Sequence, residues 1–448
     1  SYVVFMQGNA QETLTHELSA DGTGVHMISF PLIPLTRDLS ELLGIPDDDL
    51  LVARWDPQSP AENKYAIWPR VDPVAPGRAY WLRVFSDLTL ELAGVKLAEN
   101  RPAETPLKVG WNQVGSPRLE PVDIESLEFE AGGESAVSYE EAVEQRIIQA
   151  GVLGYSQEDG YTERRQMVPF EGYWIRCKRA DGAIMRFPVG GAEAALTRSA
   201  TSPAADDLAW EMPIVAEAGR MSGAARLGAA SDAREGPDAH DLQAPPGFGP
   251  RVEVTFDPEG TGASRYRTDV RPTAAPEQTY ALKVHSTLAH RPVQLRWPDV
   301  SEVPEDTVLT LIDESADRRV YMRTSGGYEL PATDEGVSRR LTIKAHRRST
   351  QPLLVSGMSA MQATSGTAQV VFTLSSPADV QVEVLNIAGR TVRAPSIGPQ
   401  QSGQNTLSWN LRDNAGTMVP SGMYLVRMNA RDDTGRQTQA LRPLQITR

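Results

Sequence analysis

The residues best placed to do chemistry are two aromatic pairs and one acidic loop. Tyr80-Trp81 and Tyr173-Trp174 each sit in an apolar, strand-like run. Neighbours in a strand point to opposite faces, so one ring of each pair must leave the core that receives the other. It either packs against a helix or a sister element, or forms an exposed platform on which sugar rings stack. Tyr65, Trp68 and Tyr161 would widen such a platform. The acidic loop carries Asp232, Glu235, Asp238 and Asp241 around Gly236 and Pro237. Carboxylates at this density offer oxygen ligands to calcium, although an EF-hand places its acids at alternate positions. A solvated charged loop is the competing account.

No complete catalytic motif accompanies them. There is no G-x-S-x-G elbow, H-E-x-x-H pair or G-x-x-x-x-G-K loop. Gly22-Thr23-Gly24 and Gly260-Thr261-Gly262 lack the third glycine of a dinucleotide loop. The histidines are scattered, and His285 and His290 are expected to flank a turn. The single cysteine, Cys177, shares a strand face with Tyr173 and Ile175 and is expected to be a buried free thiol. The expectation is therefore no enzyme and no cofactor, with calcium as the one candidate ion.

The elements that position the aromatic pairs form a repeat. Gly24–Pro31 aligns without a gap on Gly110–Pro117, and Pro76–Leu82 on Pro169–Ile175. A helix fits between the blocks in each copy. Asp38 and Glu41 cap the first and Gly44 stops it. Ser138 and Glu141 make a capping box for the second, expected over 139–150 with Gly151 as its stop. An aromatic hairpin follows each helix, from Trp55 to Tyr65 and from Tyr155 to Tyr161. Residues 1–100 and 101–190 thus read as two copies of one β-rich module. The blocks resemble a module of large secreted bacterial proteins with a "GWN-(L/I)-x-G-x-P" strand and a "P-x-x-GYW-(I/V)" strand. That resemblance implies secretion and β structure. The first copy departs from it at Val25 and Ala79, where the second has Trp111 and Gly172.

With 448 residues, several cores are expected. A net charge of −14 argues against nucleic acid or anionic lipid as partner. No apolar run is long enough to span a bilayer. The chain opens on a strand-like run, Tyr2–Met6, with no signal peptide, so a piece of a longer precursor is expected. Residues 191–207 read as a linker, and 208–352 as a β-sandwich with short strands from Arg251 onward. The acidic loop, followed by Pro245-Pro246, resembles a segment that precedes a C-terminal sandwich in secreted bacterial proteins.

Residues 353–448 carry the most specific pattern. Val370, Phe372 and Leu374 alternate with polar neighbours, as do Val380, Val382 and Val384, then Leu407, Trp409 and Leu411. Asn414-Ala415-Gly416 marks a hairpin. Seven such strands in about ninety residues make an immunoglobulin-type sandwich. From Val382 to Met428 the sequence resembles the Ig-like domain of the flagellar hook-capping protein, and also the C-terminal sorting domains of type IX secretion. The resemblance covers 355–448 and implies docking without catalysis. The chain as a whole is expected to be mainly all-β: a non-catalytic, extracellular or cell-surface structural protein. Its expected partners are other surface proteins or copies of itself, or a glycan. The alternatives are a carbohydrate-binding region, or the accessory tail of a hydrolase lying upstream of Ser1.

Overall fold

The computed structural model describes residues 11–60, 64–189, 208–261, 265–347, 352–363, 366–432 and 435–447. The expected strand at Tyr2–Met6 and the expected linker at 191–207 lie outside the described residues. The longest described helix has six residues and almost all other regular structure is strand, so the fold is all-β. The chain forms two compact units. One comprises 1–275, 280–302 and 326–341; the other comprises 276–279, 303–325 and 342–448. Residues 208–352 contribute to both.

The first unit contains the repeat, and the repeat is structural. In the first copy Val25–Ser29, Ala79–Arg83, Leu51–Trp55 and Tyr65–Ile67 lie side by side in that order. In the second copy Gly110–Gly115, Gly172–Cys177, Val152–Ser156 and Gly160–Arg164 take the same order. The register also repeats: Ile28 pairs with Tyr80 where Val114 pairs with Tyr173. Ala53 faces Trp81 as Leu153 faces Trp174, and Trp55–Tyr65 matches Tyr155–Tyr161. A second small sheet completes each copy. It joins Gln11–Leu18, Leu88–Val95 and Ile33–Pro34 in the first; in the second it joins Ala103–Leu107, Ala183–Phe187, Glu128–Glu130 and Val137–Ser138. Each copy has an apolar core, one around Tyr80, to which the second copy lends Phe170, and the other around Tyr173. Cys177 belongs to the second core and is free.

Local signals explain both helices, but the second ends early. Leu39–Leu43 starts where the Asp38 carboxylate accepts from Glu41 N and stops at Gly44 in the left-handed region. Tyr139–Glu144 opens on the full Ser138/Glu141 capping box. The expected continuation to 150 does not form. Arg146 takes φ 55°, its N–H bonds Val143 O, and Ile147 N bonds Ala142 O at 2.8 Å. This Schellman closure turns the chain, and Ile148 then bridges to Cys177. Burying Ile147 and Ile148 in the module core outweighs the left-handed strain at an arginine.

The first unit also holds a five-stranded sheet built on the long hairpin Leu208–Ala218/Met221–Ala230. Thr268–Pro272 joins one side in parallel; Val293–Arg296 and then Gly327–Leu330 join the other. Val252–Phe256 pairs with residues 282–286. In the second unit Thr307–Asp313 pairs with Arg318–Tyr321 and with residues 342–347.

The end of the chain is a two-sheet sandwich of immunoglobulin type. Val355–Gln362, Ala368–Leu374 and Gly403–Trp409 form one sheet. Thr391–Arg393, Ala378–Asn386, Gly422–Arg431 and Gln437–Ile446 form the other, with Ser396–Gln400 also on Ala378–Asn386. This makes eight strands, one more than the sequence pattern suggests. The inward residues are those that alternation selects: Val370, Phe372, Leu374, Val380, Val382, Val384 and Trp409 share one buried cluster with Val426 and Met428.

Candidate functional site

The two modules meet face to face, and the aromatic pairs make the joint. Strand alternation sends Tyr80 and Tyr173 into their own cores and Trp81 and Trp174 outward, toward the sister copy. Both indoles lie in one apolar layer with Val25, Met27, Ala79, Trp111 and Leu153. Trp81 packs edge-on against Tyr155 at 4.8 Å, and Trp174 edge-on against Trp55 at 6.1 Å. Tyr155 and Trp55 are equivalent positions of the repeat, so the contact is made twice about a pseudo-two-fold axis. Two backbone bonds obey the same relation: Ser29 N donates to Phe170 O at 2.8 Å and Gly115 N to Gly77 O at 3.2 Å. Isolated bridges Ile28–Glu171 and Arg78–Val114 repeat it again.

Near the axis, equivalent residues face each other. A Cβ on Gly115 would lie 2.0 Å from the Cβ of Ser29, its counterpart. A Cβ on Gly172 would lie 2.9 Å from the Cβ of Ala79, likewise its counterpart. One member of each pair must therefore be glycine. This is why the first copy carries Ala79 where the second carries Gly172.

The candidate sugar platform is thus spent inside the protein. Tyr80, Trp81, Tyr173 and Trp174 are each 0% exposed, and no ring face is open to a ligand. Trp68 packs on the first module core. Tyr65 and Tyr161 clamp a segment that no motif marks: both hydroxyls donate to Pro246 O, at 3.5 and 2.7 Å. Phe248, two residues on, stacks on Trp81 at 5.3 Å and meets Tyr65 at 5.1 Å. The signal for this plug was present as an aromatic set among turn residues, Pro245-Pro246-Gly247-Phe248-Gly249-Pro250. Burial pushes the Tyr155 hydroxyl up to about 12 and also raises those of Tyr65 and Tyr161, so all three remain neutral donors.

The acidic loop is organised by its own backbone. Asp238 accepts from Arg234 N and His240 N, both at 2.8 Å, and Asp232 contacts the His240 ring at 3.0 Å. Asp241 is buried and accepts from Asp238 N and Val270 N, both at 2.9 Å. Glu235 contributes its carbonyl, which takes the Arg271 guanidinium. Asp232, Glu235, Asp238 and Asp241 are therefore not brought together as a calcium cage. Among the described residues no three His, Cys, Asp or Glu side chains converge as a metal site. The loop is docked on Thr268–Pro272, where Arg271 Nη2 donates to Asp269 Oδ2 at 2.9 Å and Arg271 Nε lies 2.6 Å from Asp269 Oδ1. Burial raises the Asp269 carboxyl to about 7 against the pull of Arg271.

In the C-terminal sandwich, Trp409 anchors the core. Its Nε1 donates to Arg412 O at 2.8 Å and its ring meets Tyr424 edge-on at 6.3 Å. The Tyr424 hydroxyl donates to Pro420 O at 2.9 Å. Among the described residues no helix is long and apolar enough to cross a membrane.

Residues 358–434 match the family of FlgD Ig-like domains. No curated protein matches the chain. Three solved structures show distant likeness. Dimeric latent PorU from Porphyromonas gingivalis is 12% identical with a TM-score of 0.20, over 79% of this chain and 30% of that one. A tetra-tandem repeat from the extending region of a large adhesion protein is 12% identical with a TM-score of 0.19, over 95% and 100%. A β-glucuronidase of Faecalibacterium prausnitzii is 9% identical with a TM-score of 0.14, over 99% and 47%. The chain spans less than a third of the PorU chain, and likenesses at these TM-scores carry no argument about role.

Proposed function

We propose that this chain is a non-catalytic structural and interaction protein of the cell exterior, whose C-terminal Ig-like domain docks it to an export machine, to the surface or to neighbouring proteins. The observation that carries this reading is the match of residues 358–434 to FlgD Ig-like domains, on a segment that folds as a complete Ig-type sandwich. The domain's resemblance to type IX sorting domains supports export and surface display. The tandem modules support a scaffold: their largest aromatic residues join one module to the other, where a sugar-binding face would have to leave them open.

Deleting 355–448 in the native host tests the docking role. The shortened protein should accumulate intact inside the cell and fall several-fold at the surface and in the medium. Normal amounts outside the cell would remove the sorting role and leave the fold assignment standing.

A further inference from the structure

Beside the aromatic joint lies a cavity of about 40 Å³. Its walls are the second module's hairpin at Tyr155, Gly160 and Tyr161, the start of Met221–Ala230, the Phe248 segment and the strand Val252–Phe256. The walls are fixed. Ser222 N and Oγ both donate to Glu158 O, at 2.7 and 2.8 Å, which ties the hairpin to the strand. Gly223 and Gly160 set the spacing: a Cβ on either would lie 2.4 Å from Val252 O or 2.8 Å from Ser222 O.

Three guanidinium groups line this cavity, those of Arg251, Arg265 and Arg267, and only one acid does, Glu253. Glu253 already answers two of the cations, Arg251 at 3.1 Å and Arg265 at 2.8 Å. The Arg267 side chain has no hydrogen bond or ion pair among the described residues. Burial lowers its guanidinium from the usual value, opposed by the Glu163 carboxylate at longer range and reinforced by Arg226. A half-buried cation that forms no ion pair, with its nearest acid acting only through space, is partly desolvated and can gain from an anionic partner. The Tyr155 hydroxyl is a second unused donor, buried and without a hydrogen-bond partner among the described residues. Two idle donors, one of them charged, line the same cavity.

We propose that this cavity binds a small oxyanion, a carboxylate, sulfate or phosphate group, held by the Arg267 guanidinium and the Tyr155 hydroxyl with Arg251 and Arg265 as flanking charge. The donor geometry suits such a group, because a guanidinium presents a planar fork to oxyanions. The size suits it too. One water needs roughly 10–15 Å³, so the cavity takes about three water-sized groups, the size of a small oxyanion. This site is independent of the docking role of the C-terminal domain.

The test is thermal melting of the full chain in sodium sulfate against sodium chloride at equal ionic strength, for the wild type, Arg267→Met and Tyr155→Phe. A ligand held only by the folded state raises the midpoint. Sulfate also stabilises proteins generally by exclusion from their surfaces, but that effect is common to all three chains and cancels between them. The wild type should gain more from sulfate than Arg267→Met does. In chloride Arg267→Met should melt no lower than the wild type, since it removes a partly desolvated cation that forms no ion pair among the described residues. Tyr155→Phe keeps the ring, deletes one donor and should show a reduced sulfate gain; it decides the matter if Arg267→Met does not fold. Acetate and phosphate in the same assay read which oxyanion is preferred. Equal gains in the wild type and the folded variants, or no oxyanion-specific gain in the wild type from any of the three salts, would overturn the proposal.

Discussion

At the scale of single residues, position in the strand settled what residue type left open. Tyr80-Trp81 and Tyr173-Trp174 were legible as pairs that must divide between two faces, and the structure divides them: tyrosine to the module core, tryptophan to the joint. What the sequence did not show was that each tryptophan's second face is another protein surface, because the contacts that bring the modules together, such as Ile28 with Glu171 and Arg78 with Val114, join different modules and leave no local pattern. The carboxylates of the acidic loop were legible as a cluster, but not as acceptors already committed to local N–H groups. Asp269, which no motif marks, has the clearest titration. Its carboxyl is raised from 3.8 to about 7 by burial. An acid whose folded value exceeds its unfolded value stabilises the fold fully below about pH 4 and loses that contribution as pH rises to about 7. The melting temperature of the wild type minus that of Asp269→Asn should therefore fall between pH 4 and 7 and level off above. A difference that does not vary with pH would show that Asp269 is ionised throughout.

At the scale of elements, the alternating runs after Arg251 and in the last ninety residues are visible as strands, while the hairpin Leu208–Ala218/Met221–Ala230 is not. Its second strand is rich in Ala and Gly, and its first contains Pro213, all poor strand formers. The usable signal was the period of two in Trp210, Met212, Ile214, Ala216 and Ala218, every one of them buried. The second helix shows the converse case, where a well-formed start predicts more helix than the core permits. The joint between modules gives the sharpest element-level prediction. Gly115→Ala should cost about 1–3 kcal/mol, because its Cβ would overlap that of Ser29. Ser29→Gly alone should cost about 1 kcal/mol through loss of the Ser29 hydroxyl bond to Glu171 O, 2.7 Å long. Placed together, the two changes should recover most of the Gly115→Ala loss in denaturant unfolding. Additive losses would mean that the two residues do not share the axis.

At the scale of the whole molecule, the terminal sandwich was the most legible part, since short-range alternation and tight turns carry an Ig fold in sequence order. Trp409→Ala should destabilise it by about 3–5 kcal/mol, removing both the ring contact with Tyr424 and the bond to Arg412 O. Faster hydrogen exchange across Gly422–Arg431 would register the loss, and unchanged protection there would contradict the anchor role. The paired positions at the module joint bear on how the chain behaves among its own copies. Two first modules brought together would set Ser29 against Ser29 and Ala79 against Ala79, and their side chains would collide. Two second modules would set glycine against glycine and leave gaps. Only the mixed pairing fits, and a single chain supplies both halves of it at the high local concentration of a tether. A duplicated module would otherwise be prone to exchange partners where many copies crowd together. Here the mismatch of four small residues rules out like-with-like pairing, and the tether then favours each module's own neighbour over the complementary module of another copy.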